Sequence, residues 1–187
     1  MTGLRADALD TLARWSPPDA VQVQLRQEYV EHLQAHENGL DRSCRPDHIT
    51  ASTLVVSPDG SSVLLTLHAK AGRWFQLGGH TEPGDATLAG AALREATEES
   101  GLHELRLDRV PVHLDAHEVP FCGGAGARHL DVRFLAVAPE GQRHVVSEES
   151  TELRWWPVDA LPSDEPSLRQ LVDLGLDRLR LRAGLDT

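Results

Sequence analysis

The chain has 187 residues, a formal net charge of -11 and a composition that is 40% hydrophobic and 25% charged. This length suits one well-cored domain with about forty residues to spare, and the composition is that of an ordinary globular protein, neither collagen-like nor disordered. The negative charge excludes a sequence-independent grip on nucleic acid, which depends on Lys and Arg side chains that meet phosphates. A ligand that carries phosphates therefore needs another source of attraction, and a metal ion is the obvious one.

The two cysteines, Cys44 and Cys122, lie far apart and match no metal-ligand spacing. The sequence therefore predicts two free buried thiols, and neither a disulfide framework nor a zinc site. The N-terminus lacks the basic start and apolar core of a signal peptide, and no apolar run is long enough to span a bilayer. We expect a cytoplasmic protein with neither a membrane nor a nucleic-acid partner.

The first 46 residues are predicted to be helical, with a break at SPPD and a stop near Asn38 and Gly39. Two β-rich runs then flank residues 57–60 (SPDG), a turn-forming sequence that predicts an antiparallel hairpin. The next stretch, WFQLGGHTEPGD, predicts a short strand followed by a loop that contains Gly78 and Gly79.

Helical spacing returns from Leu88 to Ser100. Further strands are predicted at RLDRVPVHLDAHEV, RHLDVRFLAVA and LRWWPV, with the flexible stretch PFCGGAGAR between the first two. The chain ends in SLRQLVDLGLDRLRLRAG, which predicts an amphipathic helix. This order predicts an α/β (α+β) fold in which a mixed sheet is packed between helices.

The helix predicted at Leu88–Ser100 crowds Glu95, Glu98 and Glu99 within an arc of roughly 100° at the edge of its apolar face. Like charges three or four residues apart lower the stability of a helix by about 0.2–0.5 kcal/mol per pair. Gly101 marks the predicted end of the helix, where the helix dipole disfavours a carboxylate by about 0.3–1 kcal/mol. A solvated acidic face is one interpretation. The other is a hard divalent ion such as Mg²⁺, which binds carboxylates together with substrate phosphates and would remove the repulsion.

Residues 78–102, GGHTEPGDATLAGAALREATEESGL, closely resemble the signature of the Nudix hydrolase family, G-x5-E-x7-R-E-U-x-E-E-x-G-U with U aliphatic. The matching positions are Gly79, Arg94, Glu95, Ala96, Glu98, Glu99, Gly101 and Leu102. Two departures occur: Asp85 replaces the first Glu, and eight residues instead of seven separate it from Arg94, which leaves any role of Asp85 open. The resemblance divides the chain into an N-terminal helical extension, residues 1–46, and a Nudix hydrolase domain, residues 47–187.

The resemblance implies the Nudix fold and Mg²⁺-dependent hydrolysis of a pyrophosphate linkage in a nucleoside diphosphate joined to another moiety. Mn²⁺ is an alternative ion. We call residues 78–102, which match this signature, the Nudix box. The implied metal ligands are its three glutamates, Glu95, Glu98 and Glu99, with the carbonyl of Gly78 as a further oxygen. By the same resemblance, Arg94 orients the carboxylates and does not touch the substrate.

The general base stays open, because the family uses either a box glutamate or an acid from a distant loop. The acidic run SEESTE offers three candidates, and we choose Glu149 among them; a plain acidic turn explains the run equally well. His80 adjoins the glycine pair and is expected near the metal loop. His129 and Asp131 share one face of a predicted strand and are candidates for substrate binding, as is His80.

Two alternatives to a hydrolase remain from the sequence. One is a catalytically silent Nudix module that senses a nucleotide or binds a partner, and the other is a Nudix-fold isomerase acting on an allylic diphosphate, which needs an active-site cysteine. The intact run REATEESGL counts against both, while Cys44 and Cys122 leave the isomerase open. The substrate is left open among nucleotide sugars, ADP-ribose, dinucleoside polyphosphates and oxidised nucleoside triphosphates, and the N-terminal helices offer apolar surface for a homodimer.

Overall fold

The computed structural model describes residues 3–69, 71–119, 122, 126–141 and 150–185. Its helices are α1 (Gly3–Arg14), α2 (Ala20–Ala35), α3 (Leu88–Ser100) and α4 (Pro166–Leu185). Its strands are β1 (His48–Val56), β2 (Ser62–His68), β3 (Arg73–Phe75), β4 (Leu77–His80), β5 (Arg106–Glu118), β6 (Arg128–Val137) and β7 (Ser150–Pro157). Among the described residues, no helix combines the length and apolarity that crossing a membrane requires.

The seven strands form one mixed sheet. Its main path runs β3-β2-β1-β6-β5, with β4 paired to β1 and β7 paired to β2. The β1–β6 pair is parallel, and the other pairs are antiparallel. The predicted hairpin is confirmed by the antiparallel β1–β2 pair, in which Val56 lies opposite Val63.

The sheet lies between two layers of helices, because alternate residues of a strand face opposite sides. On one side, Ile49 and Ala51 of β1 share a hydrophobic cluster with residues of α1, α2 and α3. On the other side, Leu54 and Val56 pack against residues of α4, including Leu171. The predicted fold class, a mixed sheet packed between helices, is confirmed.

Helices α1 and α2 belong to the same core as the sheet. Leu12 and Tyr29 are fully buried in the cluster that also contains strand residues. The carboxylate of Asp7 accepts a hydrogen bond from the backbone N–H of Leu88 at 2.8 Å, which ties α1 to the first turn of α3. The N-terminal segment therefore helps to hold α3 in place. The boundary between an extension and a Nudix domain at residue 46 stays a prediction.

Much of the apolar surface of the two N-terminal helices is used within the chain. Val21 and Val23 are the exceptions on α2, with 65% and 45% of their surface exposed. These two side chains are the exposed apolar surface of α2 that a second copy of the chain could contact. The homodimer stays a prediction.

One local prediction was wrong. Gly78 and Gly79 lie in strand β4 and not in a loop, because they pair with Ser52 and Ala51 of β1. The run WFQLGGH is divided into β3 and β4 at Gln76, whose side chain donates hydrogen bonds to Ser52 and Asp131 across the sheet.

Candidate active site and a histidine cluster

Helix α3 has the predicted bounds, and local residues fix both ends. The hydroxyl of Thr87 accepts a hydrogen bond from the N–H of Gly90 at 2.9 Å, as an N-cap residue does. Gly101 adopts a left-handed backbone with φ of 65° and donates to the carbonyl of Thr97 at 2.8 Å. The hydroxyl of Thr53 on β1 donates to the carbonyl of Ala92 at 3.0 Å, which docks the helix on the sheet.

This docking brings the acidic residues of α3 against strand β4. Glu95 and Glu99 are half-buried, whereas Glu98 is exposed. The backbone N–H of Gly78 donates to a carboxylate oxygen of Glu99 at 3.0 Å. A Cβ at Gly79 would lie 2.8 Å from a carboxylate oxygen of Glu95, so only a glycine leaves room for that carboxylate.

Arg94 lies among acidic side chains and has no spare hydrogen-bonding direction toward a ligand. Its Nη1 contacts the carboxylates of Glu95 and Glu98, each at 3.0 Å. Its Nη2 donates to the backbone carbonyl of His80 at 3.0 Å. The hydrogen bonds with Asp85 contribute most to holding the pKa of Arg94 above its usual value, so the side chain is a permanent cation.

Asp85 receives a definite place despite the extra residue before Arg94. Its two carboxylate oxygens accept from Nε and Nη2 of Arg94 at 3.1 and 3.0 Å, and one of them also accepts from the N–H of Glu82 at 2.8 Å. Burial alone raises the pKa of Asp85, but these hydrogen bonds outweigh it and hold the pKa below its usual value. Asp85 thus fixes the guanidinium group from the side opposite the helix glutamates.

The residues fit a hard divalent ion in chemistry and in location. The donors are carboxylate oxygens, which Mg²⁺ and Mn²⁺ prefer, and a glycine strand leaves the space beside them clear of side chains. One cation, Arg94, contacts two of the three carboxylates, while Glu99 binds a backbone N–H. Metal binding by Glu95, Glu98, Glu99 and the carbonyl of Gly78 stays a prediction.

The space at Gly79 gives a sharp test of this site. We expect Gly79→Ala to displace the Glu95 carboxylate, since the new methyl would lie within 3.0 Å of both of its oxygens. A carboxylate at the end of a flexible side chain moves at little cost, so we expect the melting temperature to change by no more than about 4 °C while metal-dependent turnover falls at least tenfold. Thermal denaturation and steady-state kinetics measure the two effects.

Gly78→Ala is the matched control, because a Cβ there would meet the backbone of β1. It would lie 2.3 Å from the Cβ and 2.5 Å from the Cα of Ser52, neither of which can move away easily. We expect this variant to lose far more stability than Gly79→Ala. Equal stability losses with unchanged turnover in Gly79→Ala would remove Glu95 from the site.

Beyond β4, the sheet presents a polar surface around Asp131, which is 3% exposed. Its carboxylate accepts from the hydroxyls of Thr50 at 3.0 Å and Ser52 at 2.6 Å, from Gln76 at 3.1 Å and from Nε of Arg133 at 3.0 Å. These bonds give Asp131 a structural role in the sheet. Its predicted contact with substrate stays a prediction.

His80 and His129, both predicted near the substrate, are brought together with two residues that sequence reasoning passed over, His48 and Cys122. The ligand atoms of the four side chains all lie within 4.8 Å of one another. Burial and the neighbouring histidines lower the pKa of His80 to about 4 and that of His129 to about 2, so both rings are neutral at pH 7.

Sequence spacing could not reveal this cluster, because its members are 74 positions apart in the case of His48 and Cys122. The prediction that both cysteines are free thiols is correct, but only Cys44 is buried, since Cys122 is partly exposed. The cysteine spacing suggested no zinc site, but it could not register the three histidines that the fold places beside Cys122. The one available signal was the count of ten histidines in the sequence.

The proposed second-loop acid was chosen from the acidic run SEESTE at residues 147–152. Glu149, like Glu148, falls outside the described residues. Glu152 is exposed on β7, where it pairs with Leu67 of β2. The choice of Glu149 as general base stays a prediction.

Comparison with known proteins agrees with this geometry. The family model described as NUDIX domain matches residues 46–174. A hydrolase of the NUDIX family from Clostridium perfringens is 26% identical, with 71% of this chain and 97% of that chain covered and a TM-score of 0.56. Comparison with curated proteins found no match.

Two further solved structures share the fold alone. The C. elegans Ap4A hydrolase binary complex is 19% identical, with 73% of this chain and 98% of that chain covered and a TM-score of 0.56. The NUDIX domain of Shewanella oneidensis NrtR, complexed with ADP ribose, is 17% identical, with 80% and 97% covered and a TM-score of 0.56. The acidic helix α3, with Arg94 between its glutamates, and the two glycines of β4 agree with the family match over residues 46–174. That match shows that this chain belongs to the Nudix hydrolase family, whose members act on phosphoanhydride bonds.

Proposed function

We propose that this protein is a Mg²⁺-dependent pyrophosphohydrolase that cleaves a nucleoside diphosphate linked to another moiety. The observation that carries the proposal is the position of the Glu95 and Glu99 carboxylates against the two glycines of β4, with a hydrogen bond of 3.0 Å from Gly78 to Glu99. Carboxylates that repel one another on one helix are held at a single place on the sheet. Two or three such groups next to open backbone suit a phosphate-bound divalent ion.

A bound Mg²⁺ supplies neutralisation of the diphosphate charge and a lowered pKa for its bound water. The side chains that would hold it are Glu95, Glu98 and Glu99, with Mn²⁺ as the alternative ion. The remaining work of the protein is to position these groups, because phosphoryl transfer depends mainly on position and electrostatics.

Arg94 acts as a positioning residue in this proposal. Its guanidinium is occupied by Asp85, by two box glutamates and by the carbonyl of His80. It therefore orients the carboxylates from the protein side and makes no contact with substrate. Asp85, in turn, holds Arg94 in that orientation, a role that the length of the box had left open.

The acid that activates water is proposed to come from outside α3. All three box carboxylates are proposed as ligands of the ion, with Arg94 contacting Glu95 and Glu98 and the N–H of Gly78 bound to Glu99. A separate acid such as Glu149 would leave the box glutamates to the metal. His80, His129 and Asp131 remain proposed substrate contacts on the adjoining part of the sheet.

The substrate class is proposed from the anionic site and from what similar proteins bind. One solved relative in fold is an Ap4A hydrolase, and another is complexed with ADP ribose. Both compounds contain a nucleoside joined through phosphoanhydride bonds to a second group. We propose a small molecule of this kind and not a nucleic acid, in view of the net charge of -11.

The test is a panel of ADP-ribose, nucleotide sugars, dinucleoside polyphosphates and oxidised nucleoside triphosphates, each incubated with the purified protein and Mg²⁺. Phosphorylated products are separated by ion-exchange chromatography, with parallel samples that contain EDTA. We expect turnover of at least one compound that depends on added Mg²⁺. Absence of turnover on the whole panel, together with tight binding of one compound, would favour a catalytically silent binding module.

A further inference from the structure

Three strands and one connecting residue bring three histidines and one cysteine, residue types that can bind metals, to one end of the sheet. His48 begins β1 and lies opposite His129 near the start of the parallel strand β6. His80 ends β4, and Cys122 lies between β5 and β6 in the chain. The convergence is therefore produced by the topology of the sheet and not by a local sequence motif.

The separations within this cluster suit a single tetrahedral ion. His80 Nε2 lies 3.1 Å from His48 Nε2 and 3.2 Å from Cys122 Sγ, and Cys122 Sγ lies 3.8 Å from His48 Nε2. Zn–N and Zn–S bonds of about 2.0 and 2.3 Å in a tetrahedral site place nitrogens about 3.3 Å apart and a nitrogen and sulfur about 3.6 Å apart. The three observed distances scatter about those values, within the 4.8 Å that encloses the whole set.

Hydrogen bonding within the described residues leaves part of the cluster unsatisfied. His129 Nε2 is buried and has no hydrogen-bond partner there. A buried polar nitrogen without a partner costs about 1–3 kcal/mol. The ring of His129 is packed against the rings of both His48 and His80, with centroids 4.8 and 4.9 Å apart. An ion bound among these rings would give His129 Nε2 a partner.

The backbone fixes the members of the cluster before any ligand arrives. The N–H of Cys122 donates to the carbonyl of Val119 at 2.9 Å, and Nη1 of Arg45 donates to the carbonyl of Cys122 at 2.6 Å. The three histidines are held by pairing of their strands. The donors are thus held close together, which lowers the entropic cost of binding an ion.

We propose that His48, His80, Cys122 and His129 bind one Zn²⁺ ion at a site separate from the acidic helix. Three imidazoles and one thiolate are borderline and soft donors, which favour Zn²⁺ or Co²⁺ over Mg²⁺. On binding, Cys122 Sγ forms the metal–sulfur bond as a thiolate, and its proton passes to solvent. Four protein ligands complete the tetrahedral shell, so the role of the ion is structural.

The proposed ion would join the β5–β6 connection to the end of β4. His80, one of the proposed ligands, also accepts a hydrogen bond from Arg94 at 3.0 Å through its backbone carbonyl. Metal at this site would therefore stiffen the strand against which the glutamates of α3 rest. The acidic helix supplies none of the four ligands, so this inference does not depend on the proposed hydrolysis. With the ion bound, His80 and His129 would be metal ligands and not substrate contacts.

The experiment titrates metal-free protein with Co²⁺ in the presence of excess Mg²⁺, which occupies oxygen-donor sites. Absorption in the near ultraviolet reports bonds from cobalt to thiolate sulfur, and visible bands report tetrahedral geometry. Cys122→Ala is compared with Cys44→Ala, which removes the other free thiol of the chain. Glu99→Gln shows whether the acidic helix contributes to the signal, and metal analysis of the purified wild-type protein gives the stoichiometry of Zn²⁺.

We expect one tightly bound Co²⁺ per chain with a thiolate band in the wild type, in Cys44→Ala and in Glu99→Gln. Cys122→Ala should lose the band and bind at least 100-fold more weakly, and His129→Gln should lose the tetrahedral spectrum even if Cys122→Ala does not fold. Zn²⁺ should also raise the melting temperature of the wild type. A wild type with neither a thiolate band nor bound Zn²⁺, or a band that survives in Cys122→Ala, would show that the cluster is only hydrogen-bonded.

Discussion

Glu99→Gln is expected to lower Mg²⁺-dependent turnover by at least about 100-fold. Charge stabilisation by a bound ion contributes several kcal/mol to a transition state, and each 1.36 kcal/mol corresponds to about tenfold in rate. Glutamine removes the negative charge that would hold the ion but keeps an oxygen that can accept the hydrogen bond from Gly78 N–H, observed at 3.0 Å. Steady-state kinetics on the substrate found in the panel measures the effect.

The same substitution separates a metal ligand from a structural residue. Without metal, the Glu99 carboxylate is repelled by Glu95, four residues earlier, and by the negative end of the helix dipole. We therefore expect the melting temperature of metal-free Glu99→Gln to equal or slightly exceed that of the metal-free wild type. Glu37→Gln makes the same charge change at an exposed site and serves as the control. A large loss of stability in metal-free Glu99→Gln, with turnover unchanged, would assign the carboxylate a structural role.

Arg133→Met is expected to cost about 3–5 kcal/mol of unfolding free energy, the range found when one partner of a buried ion pair is removed. Only 4% of the Arg133 side chain is exposed, and it contacts Asp115 at 2.7 Å and Asp131 at 3.0 Å. It also donates to the hydroxyl of Ser167 at 2.6 Å, which joins α4 to the sheet. Methionine would leave the buried carboxylate of Asp131 and the partly exposed carboxylate of Asp115 without this cation. Urea denaturation measures the loss.

The loss should also depend on pH. Burial raises the pKa of Asp115, but hydrogen bonds from His117 and the charge of Arg133 outweigh it and hold the pKa well below its usual value. A depressed carboxyl pKa gives stability that is present above the ordinary pKa and is lost as the pH falls towards the lowered one. In Arg133→Met we expect this acid dependence to shrink.

Arg154→Met is the matched control for Arg133→Met. Arg154 is exposed on β7 and lies 4.4 Å over the ring of Trp156, so its replacement should cost no more than about 1 kcal/mol. If the two variants lost the same stability, the buried network would not hold the sheet and α4 together as described.

Features set by neighbouring residues were predictable from the sequence. Helix α3 has its predicted bounds because Thr87 and Gly101 supply the caps locally, and the hairpin follows from the turn at residues 57–60 between two β-rich runs. The acidic edge of α3 followed from helical geometry alone. The structure places Glu95 and Glu99 at the edge of the buried face of α3, as that geometry predicts.

Features set by the topology of the sheet were not predictable. Gly78 and Gly79 belong to a strand because they pair with β1. The local sequence LGGH does not predict that pairing. Asp131 shares a face with His129 as predicted, but its hydrogen bonds come from Thr50, Ser52 and Gln76, which are distant in sequence. The histidine cluster likewise depends on strands that meet only in the folded chain.

Isothermal titration of the metal-free wild-type protein with Mg²⁺, beside the same titration of Glu99→Gln, tests most directly whether the glutamates of α3 hold a divalent ion. A non-hydrolysable diphosphate compound is included in a parallel series, because phosphates complete the shell of a Mg²⁺ site. We predict saturable binding in the first protein, strengthened by the diphosphate, and a loss of at least tenfold in affinity in the second. No heat of binding in either protein, with or without the diphosphate, would contradict the assignment of Glu95, Glu98 and Glu99 as metal ligands.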